Sequence, residues 1–311
     1  MVGGKLALAE HPDPRPGRGQ LLVRVRAAGV NNADLLQVAG GYPAPPDCPP
    51  DIPGLELAGE VLETGGSVTR FHPGDRVMAL VGGGAQAELA LVDERATLPV
   101  PPTVSWEEAG AFPEAFTTAH DALFTQCRLA SGERALVHGA AGGVGTAAVQ
   151  LAAVAGARVT ATVRHPQLHD SVAALGATRV VAPDAFVEHG PYDVVVELVG
   201  GPNLAADLEA LAVAGRIAVI GVGAGGRAEL DLLALMARRA RISGSTLRAR
   251  PPEDKATAVR HVEAQVLPLL EAGRVRVPLT ATFALRDASA AYQRFAAGAK
   301  LGKIVLVAGE G

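Results

Sequence analysis

Residues 135–156, ALVHGAAGGVGTAAVQLAAVAG, constrain this chain more than any other stretch. A short apolar run suited to a strand ends at His138 and meets Gly139, Ala140, Ala141, Gly142, Gly143, Val144 and Gly145. An alanine-rich segment with helical spacing follows and closes at Gly156. Strand, glycine turn and helix in this order form the start of a dinucleotide-binding βαβ unit. A Cβ would collide with a pyrophosphate that the backbone approaches closely, so glycine is needed there. The helix start adds free N–H groups and a positive dipole end. Against the pattern G-x-G-x-x-G the matching positions are Ala140, Gly142 and Gly145, so the first glycine is replaced. Gly142, Gly143, Val144 and Gly145 are therefore expected at the phosphates.

Residues 159–163, VTATV, have the pattern of the second strand of the unit. A site that prefers NAD usually carries an acid roughly 20 residues past the glycines, on the ribose 2′-hydroxyl. Here the strand runs into Arg164 and His165, with no acid before Asp170. A carboxylate would repel a 2′-phosphate, whereas a guanidinium holds it through charge-assisted hydrogen bonds. The expected cofactor is NADPH.

At 311 residues and 49% hydrophobic content the chain can bury two domain cores. Its net charge of −4 and 4% aromatic content argue against a nucleic-acid surface. Cys48 and Cys127 lie far apart without metal or redox spacing, so no disulfide framework is expected and a reducing, cytoplasmic setting is the default. No signal-peptide pattern and no uninterrupted apolar run of about 18 residues argue for a membrane role.

Residues 1–105 are strand-rich. Residues 20–27 alternate apolar and polar positions, and 57–62, 76–80 and 87–92 are further short strands between glycine and proline turns. Proline-dense residues 43–54 form a stiff extended loop. A helical pattern covers 106–123, and strands at 180–182, 194–198, 216–221 and 241–245 then alternate with helices at 166–175, 203–213 and 230–239. Such alternation implies a parallel sheet flanked by helices, an α/β fold. A helix from Pro251 to Leu270 and a final strand at 303–307, rejoining the N-terminal domain, complete the prediction.

Several short motifs recur in a familiar order: GVNNAD at 29–34, PGLELAG at 53–59, GDRV at 74–77, PEAFTTA at 113–119, the glycine turn, and LGKIV at 301–305. In this combination the chain resembles the medium-chain dehydrogenase/reductases, most nearly the quinone oxidoreductase (zeta-crystallin-like) branch. The resemblance implies a GroES-like β-rich catalytic domain over 1–115 and 249–311, and a doubly wound Rossmann domain over 116–248. It implies a nicotinamide held in the cleft between them. Two departures stand out. The family has a full opening strand before the position of Gly3-Gly4, so this start is short, and Gly142 replaces a serine found in some relatives.

Zinc-dependent relatives carry G-H-E-x-x-G, where this chain has Gly54-Leu55-Glu56-Leu57-Ala58-Gly59. Leucine cannot ligate zinc, which needs three protein ligands at a catalytic site. A four-cysteine lobe is impossible with two cysteines, and the eight histidines show no ligand spacing. No metal is expected, and Glu56 is read as structural, an internal ion-pair partner.

The chemistry left is hydride transfer to an electron-poor acceptor, with the hard step supplied by the cofactor. A quinone or conjugated carbonyl suits it, because the reduced anion is delocalised. The resemblance places Asn31 and Tyr42 near the nicotinamide as the polar groups of catalysis, and Thr118 against its carboxamide. It brings Gly221, Val222, Gly223, Leu247, Arg248 and Lys303 to the nicotinamide half and the phosphates. An NADPH-dependent quinone reductase leads. An enone, enal or enoyl-thioester reductase shares every motif, and an NADPH-binding protein with little catalysis stays open. The strand at 241–245 would end the sheet with an unpaired edge, from which a homodimer joined through the Rossmann domains is expected.

Overall fold

The computed structural model describes residues 6–309, so the short start inferred at Gly3-Gly4 lies outside the described residues. The chain forms two compact units. The first holds the described residues up to Glu114, then Leu247–Gly298 and the described residues from Lys303 on. The second holds Ala115–Thr246 and Ala299–Gly302.

In chain order, the first unit begins with β1 (Gln20–Val30), α1 (Asn32–Val38), β2 (Glu56–Thr64), β3 (Arg76–Leu80), β4 (Leu89–Asp93), β5 (Thr97–Pro99) and α2 (Trp106–Gly110). The second unit runs through α3 (Pro113–His120, its first two residues still in the first unit), β6 (Arg134–Val137), α4 (Gly143–Val154), β7 (Arg158–Thr162), α5 (His169–Ala173) and β8 (Arg179–Val181). It continues with β9 (Tyr192–Glu197), α6 (Leu204–Glu209), β10 (Leu211–Val219), α7 (Leu232–Arg238) and β11 (Arg241–Gly244). The first unit resumes with α8 (Pro252–Gln265), α9 (Leu267–Glu271), β12 (Leu279–Ala284), α10 (Ala288–Ala296) and β13 (Lys303–Val307).

The sheet of the first unit is ordered β12-β13-β1-β2-β3-β5, with β4 also on β1. β1 is its hub. It pairs β2 along one side, and β4 and β13 at successive stretches of the other. Alternate residues Leu21, Val23 and Val25 meet Leu57, Val61, Val77 and Ala79 in one apolar cluster. The return of residues 303–307 to β1 was legible in the sequence, and β13 pairs it antiparallel.

The second sheet is ordered β11-β10-β9-β6-β7-β8, and every pair in it is parallel. From β6 the chain moves outward to β7 and β8, then crosses back to add β9, β10 and β11 on the other side. The order therefore reverses between β6 and β9, and ligands of open α/β sheets bind at the carboxyl ends beside such a point. Leu136, Val195, Leu208, Leu211, Ile217 and Tyr192 anchor its core.

Three helix expectations need correction. The helix predicted over 106–123 is broken: α2 ends at Gly110, and Pro113 starts α3 afresh because it has no N–H to continue a ladder. The stretch 203–213 is helical only to Glu209, since Leu211 already pairs with Tyr192 in the sheet. The helix predicted from Pro251 to Leu270 divides at Val266, two residues before Pro268. Among the described residues no helix is long and apolar enough to cross a membrane. Cys48 and Cys127 are both free thiols.

Candidate functional site

The glycine turn stands at the carboxyl end of β6, at the reversal point of the second sheet. Gly142 caps α4 and brings no side chain to the first-turn N–H groups, and no acid sits in that turn. The N–H groups of Gly143, Val144 and Gly145 cannot be used inside the helix, so they are set for an external anion. Residues 141–144 are partly open to solvent, whereas Gly145 is buried. A Cβ on Gly145 would lie 2.4 Å from the Gly139 carbonyl oxygen and 2.7 Å from Ala140 Cα. The third glycine of the pattern is thus demanded by the packing of the turn on its helix. The segment before β13 closes on the same turn, with Gly302 N–H donating to the Ala141 carbonyl at 2.8 Å.

Arg164 and His165 follow β7, the neighbour of β6, at the same end of the sheet. Arg164 is exposed and, among the described residues, makes no ion pair; His165 is half-buried. Gly221, Val222 and Gly223 follow β10 at that end too, with Val222 52% exposed. Thr118 lies buried on α3 of the same unit. This geometry accommodates a dinucleotide: open N–H groups for the phosphates, an unpaired guanidinium one strand away, and no carboxylate between them.

Behind the turn lies a buried trio that sequence reasoning missed. His138, the residue before Gly139, is fully buried with Glu197 and Asp207. Its Nε2 lies 2.8 Å from Asp207 Oδ1, and its Nδ1 lies 3.0 Å from Thr162 Oγ1. Glu197 accepts from Gly200 N–H at 2.7 Å, from Val199 N–H and from Asn203 Nδ2 at 3.0 Å. Burial pushes the Glu197 carboxyl above its usual range. The network ties the ends of β6, β7 and β9 to α6, and so holds the turn from within. Its members are 59 and 69 residues from His138, a separation at which no spacing signal exists.

In the first unit, Asn31, Glu56 and Lys303 form one buried knot. Lys303 Nζ lies 2.5 Å from Glu56 Oε1, 2.5 Å from Asn31 Oδ1 and 3.2 Å from the Val30 carbonyl. Asn31 Nδ2 donates to Glu56 Oε1 at 2.9 Å, and Glu114 N–H donates to Glu56 Oε2 at 2.9 Å. A Cβ on Gly29 would stand 2.3 Å from Glu56 Oε1, so glycine makes the room for this carboxylate. The internal ion pair foreseen for Glu56 is present, and its partner is Lys303. That placement gives Lys303, 3% exposed, a holding role within this knot. It also occupies the Asn31 side-chain oxygen and leaves a single amide N–H for other work.

Two further acids lie in this interior. Burial raises Asp34 to about 7, although it accepts from the N–H groups of Asn31 and Gly54. Burial, and then the neighbouring Glu56 charge, push Glu114 up to about 7. Unfolded, both would titrate near the usual carboxylate values of roughly 4. The folded state therefore binds more protons between those limits, and stability falls as pH rises from about 4 to about 7. Glu114 accounts for on the order of 3 kcal/mol of that slope. The urea midpoint should drop across this window, and Glu114→Gln should flatten the drop. An unaltered slope in the variant would mean that Glu114 titrates like an exposed acid.

Tyr42 is half-buried in the proline-rich loop, and the Arg248 guanidinium lies 4.9 Å from its ring centre. Arg248 is 5% exposed and donates to the carbonyls of Gly82 and Tyr42 and to Gln37 Oε1. Its side chain thus braces the loop that carries Tyr42; Leu247 beside it is buried. A catalytic zinc does not fit this unit. Leu55, at the ligand position, is 1% exposed and has no donor atom, and an ammonium already sits on Glu56. Among the described residues, the converging trio of histidine and acids is the one in the second unit.

Comparison with known proteins agrees with this architecture. The Alcohol dehydrogenase GroES-like domain family matches residues 17–102, and the Zinc-binding dehydrogenase family matches residues 143–264. The chain is 35% identical over 93% of its length to the Spectinabilin polyketide synthase system protein NorB of Streptomyces orinoci, of which it spans only 13%. It is 32% identical to the Quinone oxidoreductase of Rattus norvegicus, covering 94% of this chain and 91% of the rat protein. The solved structure of a mycobacterial protein complexed with NADPH superposes with a TM-score of 0.86 at 28% identity, covering 96% of this chain and 94% of that one. The chain therefore belongs to the medium-chain dehydrogenase/reductase superfamily of NAD(P)-dependent oxidoreductases, in the branch that holds the quinone oxidoreductases.

Proposed function

We propose that this protein is an NADPH-dependent quinone reductase that works without a metal. The observation that carries the reading is the first unit's interior: Leu55 and the Lys303–Glu56 pair stand where a Lewis acid would need donors. An acceptor reduced there must stabilise its own anion, as a quinone does by delocalisation. When bound, NADPH supplies the hydride. The first-turn N–H groups of α4 hold its pyrophosphate, and Arg164 holds its 2′-phosphate. Tyr42 is the side chain assigned to the acceptor oxygen, oriented through its loop by Arg248. Neither Tyr42 nor Asn31 is an obligatory acid, because the hydroquinone anion takes its second proton from water.

Similarity to NorB supports a second reading, reduction of a conjugated enoyl thioester. A turnover panel separates the two. NADPH oxidation should be fast with simple quinones, slow with crotonyl thioesters, and unchanged by chelators. The reverse order would favour the thioester reading, and no turnover with either would favour a protein that binds the nucleotide with little catalysis.

We also propose a homodimer joined through the second sheet. β11 is an edge strand with one side unpaired, and the α7 residues Leu232, Leu233 and Met236 are 63%, 76% and 69% exposed. Pairing two such edges about a two-fold axis satisfies both and covers apolar surface. Light scattering at micromolar concentration should give twice the chain mass; a monomer mass would rule the dimer out.

A further inference from the structure

The second unit carries a second charged feature, at the opposite end of its sheet from the glycine turn. A pocket of about 510 Å³ is lined there by Arg128, Arg216, Arg239 and Arg241, with Ala214 and one acid, Glu133. Arg216 is neutralised and fixed. Its two terminal nitrogens each lie 2.8 Å from a Glu133 carboxylate oxygen, and its Nε donates to the Cys127 carbonyl at 2.7 Å. In the single chain Arg128, Arg239 and Arg241 are exposed and, among the described residues, have no acid within ion-pair distance; the last two lie at or just before the start of β11, the edge strand of the proposed dimer. Three uncompensated guanidiniums therefore share one concavity, in a chain whose net charge is −4.

The arrangement works against the stability of the empty unit in two ways. Arg241 stands directly across from Arg216 on the neighbouring strand, and Glu133, spent on Arg216, leaves Arg241 without a counter-charge. Three lining residues hold left-handed backbones, Arg128 at φ 50°, Ala214 at φ 64° and Arg239 at φ 50°, where a Cβ is disfavoured. An anion held in the pocket would offset this uncompensated charge. Guanidinium forks match the oxygen pairs of carboxylate and phosphate, and the pocket is of small-molecule size.

We propose that this pocket is an anion site for a compact ligand of two or more negative charges, a phosphate ester or a polycarboxylate, separate from the nucleotide site. Calorimetric titration of the full chain with pyrophosphate in one arm and citrate in the other, at matched ionic strength, tests it. At least one should bind more tightly than chloride at equal ionic strength, and the tighter one identifies the class. The double variant Arg239→Ala/Arg241→Ala should lose tenfold or more in affinity. Single variants Arg239→Gln and Arg241→Gln, which keep bulk at these exposed positions, should each lose part of it. Pyrophosphate held at the glycine turn instead would bind the double variant as tightly as the parent. That result, or no binding by either anion, overturns the proposal.

Discussion

Lys303→Met should destabilise the protein by about 3–5 kcal/mol, the usual result of removing one partner from a buried ion pair. Glu56 is fully buried, and Lys303 is the cation on its Oε1. Methionine fills most of the lysine's volume, so the loss reports charge rather than cavity. The carboxylate would keep the donors Asn31 Nδ2 and Glu114 N–H, which hydrogen-bond it without neutralising it. Urea unfolding at pH 7 measures the loss. The double variant Lys303→Met/Glu56→Gln should recover most of it, because a neutral amide needs no counter-charge. A single-variant loss below about 1 kcal/mol would show that Lys303 matters little as a counter-charge, and the knot would then be a hydrogen-bond network rather than an ion pair.

How far the sequence reaches is visible in this same knot. Glu56 was identifiable as an internal ion-pair partner because a leucine precedes it where relatives place a zinc ligand. Its cation was not, since Lys303 lies 247 residues away and enters only when β13 pairs with β1. The parallel sheet was legible because short strands rich in valine alternate with helical stretches along residues 134–244. α1 and α10, of seven and nine residues, were not. The glycine turn and Arg164 are read from local chemistry alone, because the proposed role of each depends on neighbours in the chain. Arg248 shows the converse. Its place after the last strand gives no sign of Gly82 and Tyr42, whose carbonyls its buried guanidinium holds from far along the chain.

Arg164→Ala should weaken NADPH binding by about 10- to 150-fold, equivalent to roughly 1.5–3 kcal/mol for a charge-assisted phosphate contact. NADH binding should barely change, because the alanine removes nothing that a 2′-hydroxyl requires. The asymmetry follows from position. Arg164 stands just past β7, the strand beside the glycine turn, and it is exposed with no ion pair among the described residues. No internal bond is lost on truncation, so the fold should keep its stability, and the effect should be confined to the ligand. Exposure also means that salt screens the contact, so the NADPH penalty should shrink as ionic strength rises. Arg164→Asp should go further, repelling the 2′-phosphate and accepting a hydrogen bond from the 2′-hydroxyl, which moves preference toward NADH. Fluorescence titration of both cofactors against the three proteins measures this directly. An equal loss for NADPH and NADH in Arg164→Ala would remove the residue from the adenosine ribose, and with it the basis for NADPH preference.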